Sequence, residues 1–395
     1  MTKIPPSSET PRAAYGTLAR VFIRLSLTAF GGPAAHIAIV EEEIVTRRRW
    51  LTREHYLDLI AATNLIPGPN STEVMIHVGY LLRGIPGAVL AGACFIIPPS
   101  LLSLALAVLY VGGGSLPQIA SVLAGIKPVI VAIIAGVGYR LLRTALRKTG
   151  LWVLFGLSIL VIVFSDVPEV LVMLGTGLLY ALLQTGGTRR LLAGASGMAL
   201  AALPPLAATP TTATAGIWDI FWYFLKIGSV LFGSGYVLIA YIQQNLVNNF
   251  GWLTGQQLLD SIAIGQMTPG PLSTTVTVVG YIVAGVPGAI IGTFGFFLPS
   301  FVLVILTAPL IPRMRRSPFL SAFLSGINAG VIAAILVTLV DLANAALRAP
   351  DGGWSPAASL LALAALLMLL RFRVSATWLI LLGGLVGLAA QLAGV

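Results

Sequence analysis

Thr63-Asn64-Leu65-Ile66-Pro67-Gly68-Pro69-Asn70-Ser71-Thr72 returns later in the chain as Gly265-Gln266-Met267-Thr268-Pro269-Gly270-Pro271-Leu272-Ser273-Thr274, and each copy lies inside an apolar segment. Two prolines around a glycine cannot continue a helix. Proline lacks the N–H and clashes with the preceding turn, while glycine tolerates the conformations a break requires. Each copy therefore divides its segment into two half-helices. Pro69 and Pro271 suit the first position of the second half-helix, which predicts free backbone N–H groups at Asn70 to Thr72 and at Leu272 to Thr274, at a positive dipole end. Such an end is an anion site, and Gly68 and Gly270 keep the backbone there open to a ligand.

The surrounding composition places these breaks in a membrane. Of 395 residues, 57% are hydrophobic and only 9% are charged, which describes a polytopic membrane protein rather than a soluble core. The 23 Lys and Arg against 13 Asp and Glu do not form a nucleic-acid face, because they fall in short clusters between apolar runs. That is the distribution of membrane loops with a positive side. The single cysteine, Cys94, lies in the run Gly92-Ala93-Cys94-Phe95, so neither a disulfide framework nor a thiolate metal site is offered. The opening residues Met1 to Arg20 are polar and proline-containing and read as a cytoplasmic tail.

Superposing the two copies extends the match far beyond ten residues. The offset 233 − 31 = 202 pairs Gly31 with Gly233, Trp50 with Trp252, Thr52 with Thr254, Asp58 with Asp260, and Ser71-Thr72 with Ser273-Thr274. After one residue drops out, the offset 201 pairs Gly79-Tyr80 with Gly280-Tyr281, Pro86-Gly87 with Pro287-Gly288 and Gly125-Ile126 with Gly326-Ile327. The chain is an internal duplication. Charge then orients the copies. Thr46-Arg47-Arg48-Arg49-Trp50-Leu51-Thr52-Arg53 is basic where its counterpart, 248–255, is uncharged, and Val111 to Pro117 is uncharged where Arg313-Met314-Arg315-Arg316 is basic. A positive loop matched by a neutral one implies that the copies are inserted upside down relative to each other.

The expected architecture is an all-α polytopic membrane protein with an inverted-topology repeat and Pro-Gly broken, re-entrant helices. Its parts are a tail at 1–20, a first half at 21–208 and an inverted second half at 217–393. Full spans are expected near 85–109, 118–139, 150–165, 168–187, 191–208, 286–311, 318–345, 356–370 and 375–393. The segments 21–45, 55–81, 217–242 and 257–282 either span once or dip in and return. A cytoplasmic Arg47 to Arg53 favours the second choice, with irregular backbone tolerated only around a cavity.

Proline-glycine breaks in corresponding positions point to a transport site near the bilayer midplane. The donors placed there are Asn70, Ser71, Thr72, Ser273 and Thr274. Arg24 and Lys226 (226 − 24 = 202) are equivalent cations inside apolar segments, costly unless they face a cavity or a partner, although snorkelling to an interface would also place them. Gly31-Gly32-Pro33 and Gly233-Ser234-Gly235 form a second pair of breaks, which with Pro67, Pro69, Pro269 and Pro271 would gate the site. Asp58 and Asp260 are symmetric carboxylates just after Thr52 and Thr254, where they either pair with nearby donors or carry protons. Glu73, two residues past Ser71 in the second half-helix, where burial is expected, is the stronger proton-coupling candidate; its counterpart is uncharged Thr275, and His36 and His77 are candidate relays. Glu41-Glu42-Glu43 opposite Arg47-Arg48-Arg49 reads as pairing along an interfacial helix. No metal cluster, cofactor site or GxxxxGK[ST] phosphate loop appears, so neither an enzyme nor an ATP-driven pump is indicated.

Phe30-Gly31-Gly32-Pro33, Arg49-Trp50-Leu51, Asn64-Leu65-Ile66-Pro67-Gly68-Pro69, Gly84-Ile85-Pro86-Gly87 and Phe95-Ile96-Ile97-Pro98-Pro99 resemble the chromate ion transporter family, and Phe232-Gly233-Ser234-Gly235 with 266–271 resembles its second domain. The resemblance implies the long two-domain form and bacterial inner-membrane efflux of chromate, with sulfate as the similar oxyanion, driven by the proton-motive force. On that basis a tetrahedral dianion would sit between the two breaks, with protons and the lipid bilayer as the other partners and no nucleic acid. A homodimer is compatible with this reading. Rocking of one half against the other would expose the site alternately. Rival readings are an importer of sulfate or a related anion on the same scaffold, and a membrane-embedded enzyme or lipid scramblase.

Overall fold

The computed structural model describes residues 13–30, 33–113, 117–165, 167–185, 215–232, 235–310, 314, 317–349 and 352–393. They form helices, with no strand among the described residues beyond one isolated bridge, Arg348 to Trp354. In chain order the helices are α1 (Tyr15–Thr28), α2 (Pro33–Glu41, running on through a wider π turn, Glu42–Arg47), α3 (Arg53–Thr63), α4 (Asn70–Gly112), α5 (Pro117–Ala145), α6 (Thr149–Phe164) and α7 (Glu169–Gln184). Then follow α8 (Ile217–Val230), α9 (Val237–Ile242, with its own π turn, Gln243–Asn249), α10 (Gly255–Met267), the 3-10 turn Leu272–Thr274, α11 (Thr275–Thr307), α12 (Pro318–Leu347), α13 (Pro356–Arg371) and α14 (Ala376–Leu392). The expected span at 191–208, the basic residues Arg313, Arg315 and Arg316 and the breaks Gly31-Gly32 and Gly233-Ser234 lie outside the described residues.

Side-chain caps start several helices: Thr52 accepts from the His55 amide, Thr254 exchanges bonds with Gln257, and Ser317 and Ser355 precede helices with proline at the first position. Among the described residues, four helical stretches, 70–112, 118–145, 272–307 and 318–347, are long and apolar enough to cross a membrane. Leu101, Leu109, Leu306, Leu360 and Leu385 stand exposed on the outside, as lipid-facing side chains do.

Two of the long helices are in fact hairpins. Arg83 and Gly84 leave the helical region, with Gly84 at φ +63°, and the backbones of Gly79 and Gly87 touch: a Cβ on Gly79 would lie 2.3 Å from the Gly87 carbonyl oxygen. Eight residues of straight helix would separate them by about 12 Å, so the chain reverses at 83–84. Ala284, Gly285, Gly280 and Gly288 repeat this reversal in α11. The segment before α3 also folds back. Arg24 pairs with Glu43, yet 19 residues of straight helix would hold them about 28 Å apart. Arg83 Nε donates to the Ala13 carbonyl at 2.6 Å and its guanidinium lies over the Tyr15 ring, so the α4 turn lies at the end where α1 begins.

The halves interlock rather than sit side by side. α5 of the first half packs on α13 and α14 of the second, and α12 of the second packs on α6 and α7 of the first. Glycines permit the close crossings, as where Gly125 meets Gly383 and Gly387 and where Gly326 meets Gly177. Inside this frame α1 lies on α4, α8 lies on α11, and α4 crosses α11.

Candidate functional site

Both Pro-Gly-Pro breaks reach one cavity of about 650 Å³. Pro69, Asn70 and Ser71 line it from the first break, and Pro271, Leu272 and Ser273 from the second. Its walls come from the ends of α3 (Ala61, Asn64), α5 (Leu141, Thr144, Ala145) and α12 (Ser321, Ser325, Asn328), with Gly235 and Phe232 between α8 and α9. Leu141 to Ala145 stand among Arg140, Arg143, Arg147 and Lys148, so the cavity's mouth lies at a basic end of the molecule.

The breaks are held by exchanged bonds. Gly68 N–H donates to the Leu231 carbonyl at 2.6 Å, and Gly270 N–H donates to the Ala29 carbonyl at 2.8 Å. Both glycines have positive φ, +144° and +92°, and both are tightly enclosed: a Cβ on Gly68 would meet Glu73 Oε1 and Ser300 Oγ, and one on Gly270 would meet Pro99. The first turns that follow do not leave every expected amide free. Thr72 N–H donates to the Pro69 carbonyl at 2.8 Å and Thr274 N–H to the Pro271 carbonyl at 3.0 Å. A tight turn directly after proline makes these bonds, so the amides remaining for a ligand are those of Asn70, Ser71, Leu272 and Ser273.

Side chains supply further donors. The hydroxyls of Thr72 and Thr274, equivalent residues, are both fully buried and without a hydrogen-bond partner among the described residues. Buried hydroxyls are normally satisfied, and this matched pair lies one residue beyond the cavity-lining Ser71 and Ser273, itself outside the lining. Asn70 Nδ2 donates to Asn64 Oδ1 at 2.6 Å, fixing the end of α3 against the start of α4. Ser71 and Ser273 are nearly fully buried at the cavity's inner end.

The two cations are placed elsewhere. α1 buries Leu18, Val21, Phe22 and Leu25, which puts Arg24 on the opposite face beside exposed Ile23 and Leu27. There it pairs with Glu43, which also receives Arg48 Nε at 2.7 Å. Burial alone would raise the Glu43 carboxyl, but the Arg48 hydrogen bond and the charges of Arg24, Arg48 and Arg47 outweigh it and hold the group below its ordinary value. Lys226 is likewise exposed, on the face of α8 away from buried Phe224, Ile227 and Gly228. Neither Arg24 nor Lys226 lines the cavity, so the helical faces remove them from the positions expected of them.

Glu73 is fully buried behind the first break, with both carboxyl oxygens unpartnered among the described residues and Oε1 directly beneath Gly68. Thr275, in the equivalent place, instead donates to the Leu272 carbonyl at 2.8 Å. Asp260 is bound by Lys127 and Tyr110. Asp58 lies on α3, two turns before the cavity-lining Asn64. His36 Nε2 lies 3.1 Å from the Ala29 carbonyl oxygen with Phe95 against its ring, and His77 packs edge-on to Tyr80. The acidic run pairs with the basic one at a spacing of five, Arg47 with Glu42 and Arg48 with Glu43, because the π turn is wider than an α turn.

Sequence reasoning missed Ser321, Ser325 and Asn328. Their recurrence at i, i+4 and i+7 along an otherwise apolar helix is the signal that could have found them. The lining thus offers amides, hydroxyls and carboxamides around two helix starts, with no Lys or Arg among the described lining residues. Neutral donors converging at positive dipole ends suit a compact anion that must be released again.

Comparison with known proteins fits that chemistry. The sequence matches the Chromate transporter family over residues 16–181 and 218–388, one range in each half. It is 30% identical over 391 residues to the chromate transport protein of Cupriavidus metallidurans, covering 96% of this chain and 94% of the relative. It is 32% identical over 348 residues to the chromate transport protein of Pseudomonas aeruginosa, covering 85% and 82% of the two chains. A probable chromate transport protein of Synechococcus elongatus is 28% identical over 341 residues, covering 86% and 87%. No solved structure matches.

Proposed function

The chain belongs to the chromate transporter family, and from that membership we propose that this multi-pass membrane protein exports a tetrahedral oxyanion, chromate first and sulfate as its chemical neighbour, by alternating access. The observation that carries the reading is the single cavity lined by both breaks, with Asn70 and Ser71 facing it from one half and Leu272 and Ser273 from the other. The dianion sits at the paired helix starts, held by the amides of residues 70–71 and 272–273 and by the hydroxyls of Ser71, Ser273, Thr72 and Thr274. Asn64 and Asn328 complete its surroundings.

The basic mouth is the cytoplasmic side, in the inner membrane, by the charge rule for loops. The halves are read as inverted, with α1–α2, α3–α4 and their counterparts as re-entrant hairpins that meet at the midplane. In this conformation the site faces inward, where an exporter loads. Release of a dianion from a cell negative inside is favoured by about 2.3 kcal/mol per charge per 100 mV. Proton entry adds to that drive, and Glu73, fully buried behind the first break with both carboxyl oxygens unpartnered among the described residues, is the acid placed to carry it. Because α5 and α12 are locked into the opposite halves, the moving body is the core that holds the breaks, shifting against a frame of α5–α7 and α12–α14.

Uptake of labelled chromate and sulfate into inverted membrane vesicles, under an imposed potential and with and without a pH gradient, tests this. Accumulation that rises with inside-positive potential supports export. Uptake seen only in right-side-out vesicles would make the protein an importer, and no anion flux in either orientation would end the reading.

A further inference from the structure

At the end of the molecule away from the cavity, four helices are tied together by one polar cluster. Lys127 Nζ, on α5, lies 3.1 Å from Asp260 Oδ1 on α10 and donates to Gln256 Oε1 at 2.7 Å. Tyr110 of α4 donates to Asp260 Oδ2 at 2.8 Å, and Gln256 Nε2 donates to the Ala345 carbonyl of α12. The side chains of Lys127 and Asp260 are 18% and 6% exposed, so the pair is largely dry. Along α5 it is 141 − 127 = 14 residues, or about 21 Å, from Leu141 at the cavity.

The internal repeat relates this closed cluster to the open cavity. The offset 201 takes Asn328 to Lys127 and Thr144 to Ala345, and the offset 202 takes Ala61 to Ala263. Asn328, Thr144 and Ala61 line the cavity, whereas Lys127 and Ala345 are held in the cluster and Ala263 is fully buried. Positions that stand apart at one end therefore have counterparts that are shut together at the other.

We propose that Lys127 and Asp260 form the latch that closes the extracytoplasmic path, and that Lys127 becomes an anion-facing residue of the outward cavity once the latch parts. This rests on the reading of the chain as an alternating-access anion transporter. While the pair is made, α10 is held against α5 and the site faces only the basic end. Separating two dry charges is unfavourable until water solvates both, so closed-and-dry and open-and-wet are two distinct states with little between them. An anion arriving from outside offers Lys127 an alternative partner. The counterpart position at the basic end holds Asn328 instead of a lysine, so the two ends differ in the side chain at this place. This asymmetry accounts for a structure that rests open toward the basic end.

The test uses the full chain with Cys94→Ser and one reporter, Ala61→Cys or Ala263→Cys, labelled by a membrane-impermeant maleimide in inside-out and right-side-out vesicles. With the latch intact, the Ala61→Cys protein reacts from the cytoplasmic face and the Ala263→Cys protein resists from outside. Adding Lys127→Met raises the Ala263→Cys rate by about tenfold and lowers the Ala61→Cys rate by a similar factor, the reciprocal shift of one two-state equilibrium. Tyr110→Phe gives a smaller shift of the same sign and serves as the second variant should Lys127→Met not fold. Unchanged rates at both reporters would overturn the latch. Chromate flux without a reciprocal shift refutes the latch alone, whereas a reciprocal shift in a protein that moves no anion keeps the latch and refutes the transport reading.

Discussion

The amide of Gly68 donates to the carbonyl of Leu231 at 2.6 Å, joining the first break to the other half of the chain. Its counterpart, Gly270 to Ala29, is the same bond displaced by 202 positions at both ends (270 − 68 and 231 − 29). Each break is thus docked on the segment that precedes the other half's π-turned helix. Neither break can shift without pulling on the partner half, which is what a site shared by two repeats requires.

Gly68→Ala should abolish transport and lower thermal stability. The new Cβ would fall 2.2 Å from Glu73 Oε1 at a φ of +144°, a strain of about 1–3 kcal/mol before any repacking. Gly84→Ala, at φ +63° and ψ −150° but in open space, should cost the backbone strain alone, about 1–3 kcal/mol, with no clash added to it. Thermal unfolding of the two purified proteins in detergent checks the ranking, and equal losses would contradict it.

Ser71→Ala with Ser273→Ala should raise the half-saturating chromate concentration by about tenfold or more, because two donors at the inner end of the cavity are lost at about 1 kcal/mol each. Asn328→Ala should act in the same direction and less strongly. Initial-rate uptake at varied chromate, normalised to protein in the membrane, is the measurement.

Arg24→Ala and Lys226→Ala should leave that half-saturating concentration within about twofold of the parent, since neither side chain reaches the cavity. Arg24 matters instead through Glu43. Because the Glu43 carboxyl is held below its ordinary value, its pairing stabilises the fold at neutral pH and is lost as pH falls through the depressed value. Stability of the Glu43→Gln protein should accordingly fall less steeply below about pH 4.5 than that of the parent. Unfolding followed by tryptophan fluorescence across that range would show the difference.

Glu73→Gln should retain exchange of labelled for unlabelled chromate and lose acceleration by a pH gradient. The amide fills the same buried space beneath Gly68 without a titrating proton. Parallel exchange and gradient-driven assays in proteoliposomes separate these effects, and a variant still accelerated by the gradient would remove Glu73 from proton coupling.

Much of the architecture was legible because its signals are local. Proline at 67, 69, 269 and 271 forbids a continuous helix whatever surrounds it, and the offsets of 202 and 201 follow from position alone. Serine at 71 and 273 adjoins the breaks for the same reason. The cations were harder to place because Arg24 and Lys226 depend on which side of α1 and α8 faces inward. A neighbouring helix decides that, through Leu18, Phe22 and Leu25 in one case and Phe224 and Ile227 in the other. Asp260 was read as equivalent to Asp58, yet it is committed to Lys127, a partner 133 positions away (260 − 127) on a different helix.

By itself, the sequence determined that the chain is a membrane-embedded duplication with paired helix breaks, because covalent geometry and apolar composition act residue by residue. Only the tertiary structure decided that the two halves interlock through α5 and α12, that both breaks meet at one cavity, and that Lys127 pairs with Asp260 at the opposite end of α5. Those outcomes depend on side chains from distant segments competing for the same space and the same hydrogen bonds, and no local pattern records which of them wins.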